Sequence, residues 1–303
     1  MSLTEKIEKL KKEKKAVILA HNYQRPEIQD IADYVGDSIE LSRKAMNEKE
    51  ASIIVFAAVD FMAESAAILN PNKKVLLPTL GARCPMAQML TVEEIKRIKV
   101  QHPDAPLVLY VNTLASTKAY ADICCTSANA VEIIDSLEAE TVLFGPDRNL
   151  AKYVERKTGK TIIPVPEWGF CPTHLLFQKE DIQIKKLQYP DAVVMVHPEC
   201  SLEVQDVADF VGSTSQMCQH AEKTDVRTFI VGTEEGILHR LRKQNPGKEF
   251  VLAYKDAVCP NMKLNTLERV YASLKNETYA VTVPEPIARQ ARKALERMFE
   301  VTG

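Results

Sequence analysis

The sequence predicts an α/β protein built from three three-layer α/β/α units with parallel sheets. Three observations carry that prediction. Short apolar runs without polar alternation recur along the whole chain between helical stretches, as parallel strands buried on both faces require. Two stretches, VEEIKRIKVQHPDAPLVLYVN (92–112) and KEDIQIKKLQYPDAVVMVHPE (179–199), align without a gap. Cys-Pro occurs at Cys84, Cys171 and Cys259, spaced by 87 and 88 residues. A period of that size is an architectural signal before it is a local one.

The first unit, residues 1–86, opens with the charged helix TEKIEKLKKEKK and continues through AVILA, SIIVFAAV and KVLLP. The second, 87–173, contains LVLYV, ADICC, TVLFG and TIIPV; the third, 174–262, contains VVMV, DFVG, TFIVG and FVLAY. Each aligned stretch gives a helix with early acids and later lysines, a Pro-Asp-Ala turn and a β-branched strand. Right-handed βαβ crossovers connect such strands. The segment 263–303, with NTLERVYASLKN, YAVTV and PIARQARKALERMFE, starts the pattern a fourth time and is expected to pack back on the first unit.

Composition narrows the function classes. The chain has 303 residues, 46% hydrophobic and 26% charged, which reads as globular with a real core. A formal charge of −2 offers no general attraction to nucleic acid or to an anionic membrane. AVILA is too short for a signal-peptide core, and no apolar run reaches a membrane span. Seven cysteines point to a reducing compartment, the cytoplasm, where thiols bind metal or react.

In open α/β sheets, ligands bind beyond the carboxyl ends of the strands. After the first strands stand His21-Asn22-Tyr23, Tyr110-Val111-Asn112 and His197-Pro198-Glu199. After the second come Asp37-Ser38, Thr126-Ser127 and Ser213-Thr214; after the third come Asp60, Asp147-Arg148 and Thr233-Glu234. Cys-Pro follows the fourth strand each time. Proline suits the first position of a helix, so each cysteine is expected at a helix N-cap, where the dipole lowers a thiolate pKa. If the units pack around a threefold axis, three thiolates converge and leave a bound metal centre one open position. An iron–sulfur cluster or zinc meets that description. A zinc hydrolase and a redox-sensing or ligand-binding protein with disulfides remain rivals. Asp60, Arg148 and Glu234 are alternatively interdomain ion pairs. His174, three residues after Cys171, either approaches the centre or caps a helix. His102, His220 and His239 read as surface residues, and Cys124 and Cys125 as core.

The motifs AHNYQRPEIQDIADYVGDS, VLYVN, TSANAVE, FGPDRNL, HPEC, GSTSQM and CPNMK together resemble the quinolinate synthase A family, from about residue 16 onward. The resemblance implies three pseudo-threefold-related α/β/α domains around a central cavity holding a [4Fe–4S] cluster. Cys84, Cys171 and Cys259 would be its ligands, with one iron open. The implied reaction condenses iminosuccinate with dihydroxyacetone phosphate to quinolinate, releasing phosphate and two waters, in de novo NAD synthesis. An aspartate oxidase or dehydrogenase would supply the imine. Carried over by motif, His21, Ser38, Tyr110, Asn112, Ser127, His197, Glu199, Ser213 and Thr214 would bind substrate. Glu199 would be the main acid/base, with Tyr23, His21 and His197 assisting. Phe170 and Arg83 depart from the commonest family pattern beside two of the cysteines.

Overall fold

The run IIVFA is buried at every position and forms an inner strand, as its lack of polar alternation predicts. The computed structural model describes residues 1–302. The first sheet consists of β1 (Ala16–His21), β2 (Tyr34–Gly36), β3 (Ile53–Ala57) and β4 (Lys74–Leu76). The second holds β5 (Leu107–Tyr110), β6 (Ile123–Cys125), β7 (Thr141–Gly145) and β8 (Thr161–Pro164). The third holds β9 (Val193–Val196), β10 (Phe210–Val211), β11 (Thr228–Gly232) and β12 (Glu249–Leu252). Their strand orders are β2-β1-β3-β4, β6-β5-β7-β8 and β10-β9-β11-β12, the same permutation three times. Every pairing within these sheets is parallel. Helices flank each sheet, giving three similar three-layer units.

The aligned stretches fold alike because they share more than hydrophobicity. Backbone N–H groups of Ile18, Leu107 and Val194, near the starts of the first strands, donate to carboxylates 15 residues later. The acceptors are Asp33, Asp122 and Asp209, at 2.7, 2.7 and 2.8 Å. A lysine from the preceding helix pairs with each carboxylate: Lys11 at 2.9 Å, Lys99 at 3.2 Å and Lys186 at 3.3 Å. These are the late-helix lysines of the repeat. Each ties helix, first strand and second-strand approach into one corner.

Two expectations are corrected. The C-terminal segment begins no fourth sheet. Helix Leu267–Asn276 buries Val270 and Leu274 with Ile7 against the first unit. Ala280 bridges antiparallel to Leu76 at the edge of β4. Helix Glu285–Thr302 reaches both neighbours, Arg292 donating to the Ile68 carbonyl and Arg297 to that of Asp122. Its Ala288, Ala291, Ala294, Leu295 and Met298 are buried, an apolar stripe at helical spacing. Secondly, no α-helix starts at Cys-Pro. Single 3₁₀ turns do, at Met86–Gln88, His174–Leu176 and Met262–Leu264.

No helix among the described residues is long and apolar enough to cross a membrane.

Candidate functional site

The carboxyl ends of all three sheets face one cavity. Cys84, Cys171 and Cys259 all line it, although they lie in three different units. So do Pro85, Pro172 and Pro260. All seven cysteines are free, and no disulfide joins any pair.

Each cysteine loop turns its following backbone toward the sulfur. Backbone amides three residues on, at Ala87, His174 and Met262, lie close enough to the Cys84, Cys171 and Cys259 sulfurs to favour their thiolate forms, and His174 Nδ1 lies 3.2 Å from the Cys171 sulfur. Asn261 adds a second such amide at Cys259. The proline therefore opens a single tight turn that aims donors at sulfur. The expected lowering of the thiol pKa does not result. Burial is the largest influence and pushes all three thiols up, with the nearby amides opposing it; neighbouring thiols add to it at Cys84 and Cys171, and Glu234 adds to it at Cys259. Three soft donors lining one cavity are compatible with an iron–sulfur centre. Cys171 has a second arrangement available, since its sulfur, His174 and Glu199 offer ligand atoms within 4.8 Å of one another.

Beside the Cys171 thiol the cavity carries a polar network centred on Glu199, just beyond β9. One of its oxygens lies 2.7 Å from His174 Nδ1. Asn112 Nδ2 donates to the other at 3.4 Å, and the Tyr110 hydroxyl also bonds this carboxylate. Burial alone would raise the Glu199 pKa. The hydrogen bonds that the group accepts, from His174 above all, oppose burial and keep the carboxyl below the usual carboxylate range. Glu199 is thus a buried carboxylate.

His174 continues the network. Its Nε2 lies 2.8 Å from Thr233 Oγ1, which lies 2.6 Å from the Tyr23 hydroxyl. A hydrogen-bonded chain therefore runs Tyr23–Thr233–His174–Glu199, linking the first and third units. His174 also stacks on His197, with ring centroids 4.6 Å apart.

His21 and His197 are neutral. Burial depresses each to about 3. In each, Nδ1 accepts a backbone N–H from two residues later, Tyr23 at 3.1 Å and Glu199 at 3.3 Å. That fixes the proton on Nε2, which in His197 faces Ser127 Oγ at 3.2 Å. Two helix N-termini also open on the cavity through Ser38 and Thr214, which begin Ser38–Asn47 and Thr214–Lys223.

Of the residues expected from sequence, Tyr23, His21, Ser38, Tyr110, Asn112, Ser127, His197, Glu199, Thr214 and the three cysteines line the cavity. Ser213 does not. Its hydroxyl caps helix Thr214–Lys223 through the Gln216 N–H and donates to Asp37. The N-cap side chain turns back on its own helix, leaving the next residue to face the cavity. Sequence reasoning left His174 undecided and named Thr233 only as a strand-end residue. The signal was a single unit-specific histidine in CPTH, absent from CPMA and CPNM. Asp60, Asp147 and Glu234 bond the backbone of the cysteine loops, and Glu234 also lines the cavity. Arg148 instead lies over the Phe170 ring. His220 stacks on Phe210, His239 pairs with Asp30, and Trp168 is exposed away from the cavity.

Comparison with known proteins follows the same residues. A family model described as quinolinate synthetase A protein matches residues 5–300. The quinolinate synthase of Thermococcus onnurineus is 54% identical over 300 residues, covering 99% of this chain and 98% of its own length. That of Methanothermobacter thermautotrophicus is 53% identical over 294 residues, covering 97% and 96%. That of Thermotoga maritima is 52% identical over 301 residues, covering 99% and 100%. With the match running through every cavity-forming segment, the chain belongs to the quinolinate synthetase A family.

Proposed function

We propose that the protein forms quinolinate from iminosuccinate and dihydroxyacetone phosphate, releasing phosphate and two waters, as a step of NAD synthesis in the cytoplasm. The observation that carries this reading is one cavity lined both by three thiols from three units and by the Glu199 network. Family membership supports it, and the chemistry of the lining residues explains it.

Cys84, Cys171 and Cys259 would hold a [4Fe–4S] cluster through three of its irons. When bound, the cluster supplies an open iron as Lewis acid toward an oxygen that departs as water. The remaining tasks fall to side chains. The reactants are a dicarboxylate and a phosphate ester. The helix N-termini at Ser38 and Thr214, with the hydroxyls of Tyr110 and Ser127, suit such anions without buried cations. Neutral His21 and His197 donate through Nε2, a role that their depressed pKa values favour over proton release. Asn112 Oδ1 is buried with no partner, so a substrate N–H or O–H would satisfy it. Glu199, ionised and at the end of the chain to Tyr23, takes the proton lost from carbon. His174 and Thr233 let Tyr23 return a proton to a departing oxygen. Imine and ketone condense, water leaves twice, phosphate leaves once, and the ring closes with all atoms accounted for. The imine is unstable, so an aspartate oxidase or dehydrogenase would feed the reaction; neither nucleic acid nor a membrane enters it.

Anaerobic purification tests this reading. The expected product is a brown protein with about four irons per chain that makes quinolinate from the two substrates. Cys171→Ala should lose both colour and product; full colour and turnover in that variant would sink the assignment. The proximity of Cys171, His174 and Glu199 favours a second reading, a mononuclear zinc site supporting hydrolysis. A colourless protein with one zinc and no quinolinate would select it.

A further inference from the structure

Behind each cysteine stands a carboxylate from the end of the third strand of the same unit. Asp60 Oδ1 accepts the Cys84 backbone N–H at 2.9 Å. Asp147 Oδ2 accepts that of Cys171 at 3.0 Å. Glu234 Oε1 accepts that of Cys259 at 3.0 Å. Acceptor and donor are 24, 24 and 25 residues apart. A reciprocal backbone bond completes each contact. The N–H of Asp60 donates to the carbonyl of Ala82, that of Arg148 to Gly169 and that of Glu235 to Ala257, at 2.8, 2.9 and 3.0 Å. In every case the acceptor lies two residues before the cysteine. In the second unit the approach needs glycine, since a Cβ on Gly169 would meet the Pro146 carbonyl at 1.9 Å.

We propose that Asp60, Asp147 and Glu234 are positioning residues that fix the three cysteine loops for metal-cluster binding by gripping the cysteine amides from behind. The inference rests on the reading of these cysteines as cluster ligands. Three features argue for this role over ordinary turn formation. The grip falls on the ligand residue itself in all three units. It leaves the sulfur free to face the cavity, because it uses the amide N–H and not the thiol. It also spends buried carboxylates on backbone donors that a water or carbonyl could serve, and Glu234 is fully buried.

The three grips differ in their counter-charge. Glu234 is paired with Lys263 at 2.9 Å, and Asp60 faces Arg83 at 3.7 Å near the surface. Asp147 has no ion pair among the described residues, and its other bonds are to the Asn149 and Leu150 amides. Asp147 is therefore held by N–H donors alone, and it is where removal of the carboxylate acts most directly on the cysteine. Asp60, near the surface, is where water substitutes most readily.

The test compares full-length Asp147→Ala, Asp147→Glu and Asp60→Ala after anaerobic reconstitution. Release of iron to a chelator is timed, and the reduced cluster's electron paramagnetic resonance is recorded. Asp147→Ala should release iron about 10- to 100-fold faster than wild type, the range for lost support of a metal ligand, with a shifted spectrum. Asp60→Ala should show a smaller acceleration. Asp147→Glu, which restores a carboxylate as in the third unit, should recover most of the retention. Release and spectrum unchanged in Asp147→Ala would overturn the proposal, as would failure of every carboxylate variant to rescue it. Amide hydrogen exchange on the iron-free chain separates this from failure of the cluster reading. If the wild type takes up no iron, that reading fails. The grip then stands if Cys171 N–H is protected in wild type and exposed in Asp147→Ala, and falls if the two exchange alike.

Discussion

Two sets of equivalent positions meet at the cavity, and they have diverged to different degrees. At the cysteine loops the three units carry the same thiol, the same following proline, the same amide-to-sulfur turn and an acid bonded behind. At the ends of β1, β5 and β9 they carry His21 and Tyr23, Tyr110 and Asn112, and His197 and Glu199. One centre held by equal ligands asks the same of each unit, so repetition is tolerated there. Two unlike reactants, as in the proposed condensation, would ask something different of each strand end. Symmetric structure thus marks where the protein holds, and broken symmetry marks where it acts.

Equal ligands should fail equally, and this is the largest effect expected. Cys84→Ala, Cys171→Ala and Cys259→Ala should each abolish colour and turnover under anaerobic assay. A variant that keeps bound iron and measurable product would show that the three loops are not equivalent and break the comparison. The strand ends should behave oppositely. Glu199→Gln should retain iron and lose about 10²–10⁴-fold in kcat, the usual range for a displaced acid/base. Asn112→Ala, at the matching position of the second unit, should lose about tenfold and mainly through KM. Equal losses in both would mean that the two positions share one role.

The symmetric part of the molecule was legible in the sequence, and the asymmetric part less so. Parallel strands announce themselves as unalternated apolar runs, and Cys-Pro repeats in register with them. Each of the three cysteines consequently reached the cavity. His174 and Thr233 were harder because each occurs in one unit only, and their importance lies in contacts of 2.7 and 2.6 Å that no spacing reveals. Ser213 was named beside Thr214 and only Thr214 lines the cavity, since a strand-end hydroxyl and an N-cap hydroxyl look alike until the chain turns. The acids at the cysteine loops were noticed, and Asp60 and Glu234 do pair with cations, but their bonds to the cysteine amides were missed, because a backbone donor has no letter in a sequence. The thiol pKa was misjudged because helix ends were weighed and burial was not.

Acid should weaken the asymmetric ends in a predictable window. His21 and His197 sit at about 3 when folded, against about 6.5 when exposed in an unfolded chain. Between those values the unfolded chain binds more protons, so this contribution to stability is complete above pH 6.5 and declines as pH falls. From pH 6.5 to 5 each histidine should account for about 2 kcal/mol. Urea unfolding of the iron-free wild type and of His21→Gln/His197→Gln measures it. The slope of stability against pH should be flatter in the double variant, and identical slopes would show that the two rings are not buried neutral.

The smallest effect belongs to a symmetric feature that lies away from the cavity. Asp33, Asp122 and Asp209 each accept a first-strand N–H and pair with a helix lysine. Replacing Asp122 with Ala leaves the Leu107 amide without that acceptor, and Lys99 keeps only the Ala105 carbonyl. A lost hydrogen bond to a charged group at a half-buried site costs about 1.5–3 kcal/mol, and the outer lysine pair adds little. The midpoint of urea unfolding should therefore fall modestly, while iron content, kcat and KM stay at wild-type values. Asp209→Ala should give the same shift within error, since its acceptor geometry is the same. If either variant lost iron or changed KM, symmetry would no longer separate holding from acting. The corner would then have to transmit strain along β5 or β9 to Tyr110 or His197, and repeated structure would be part of the catalytic apparatus after all.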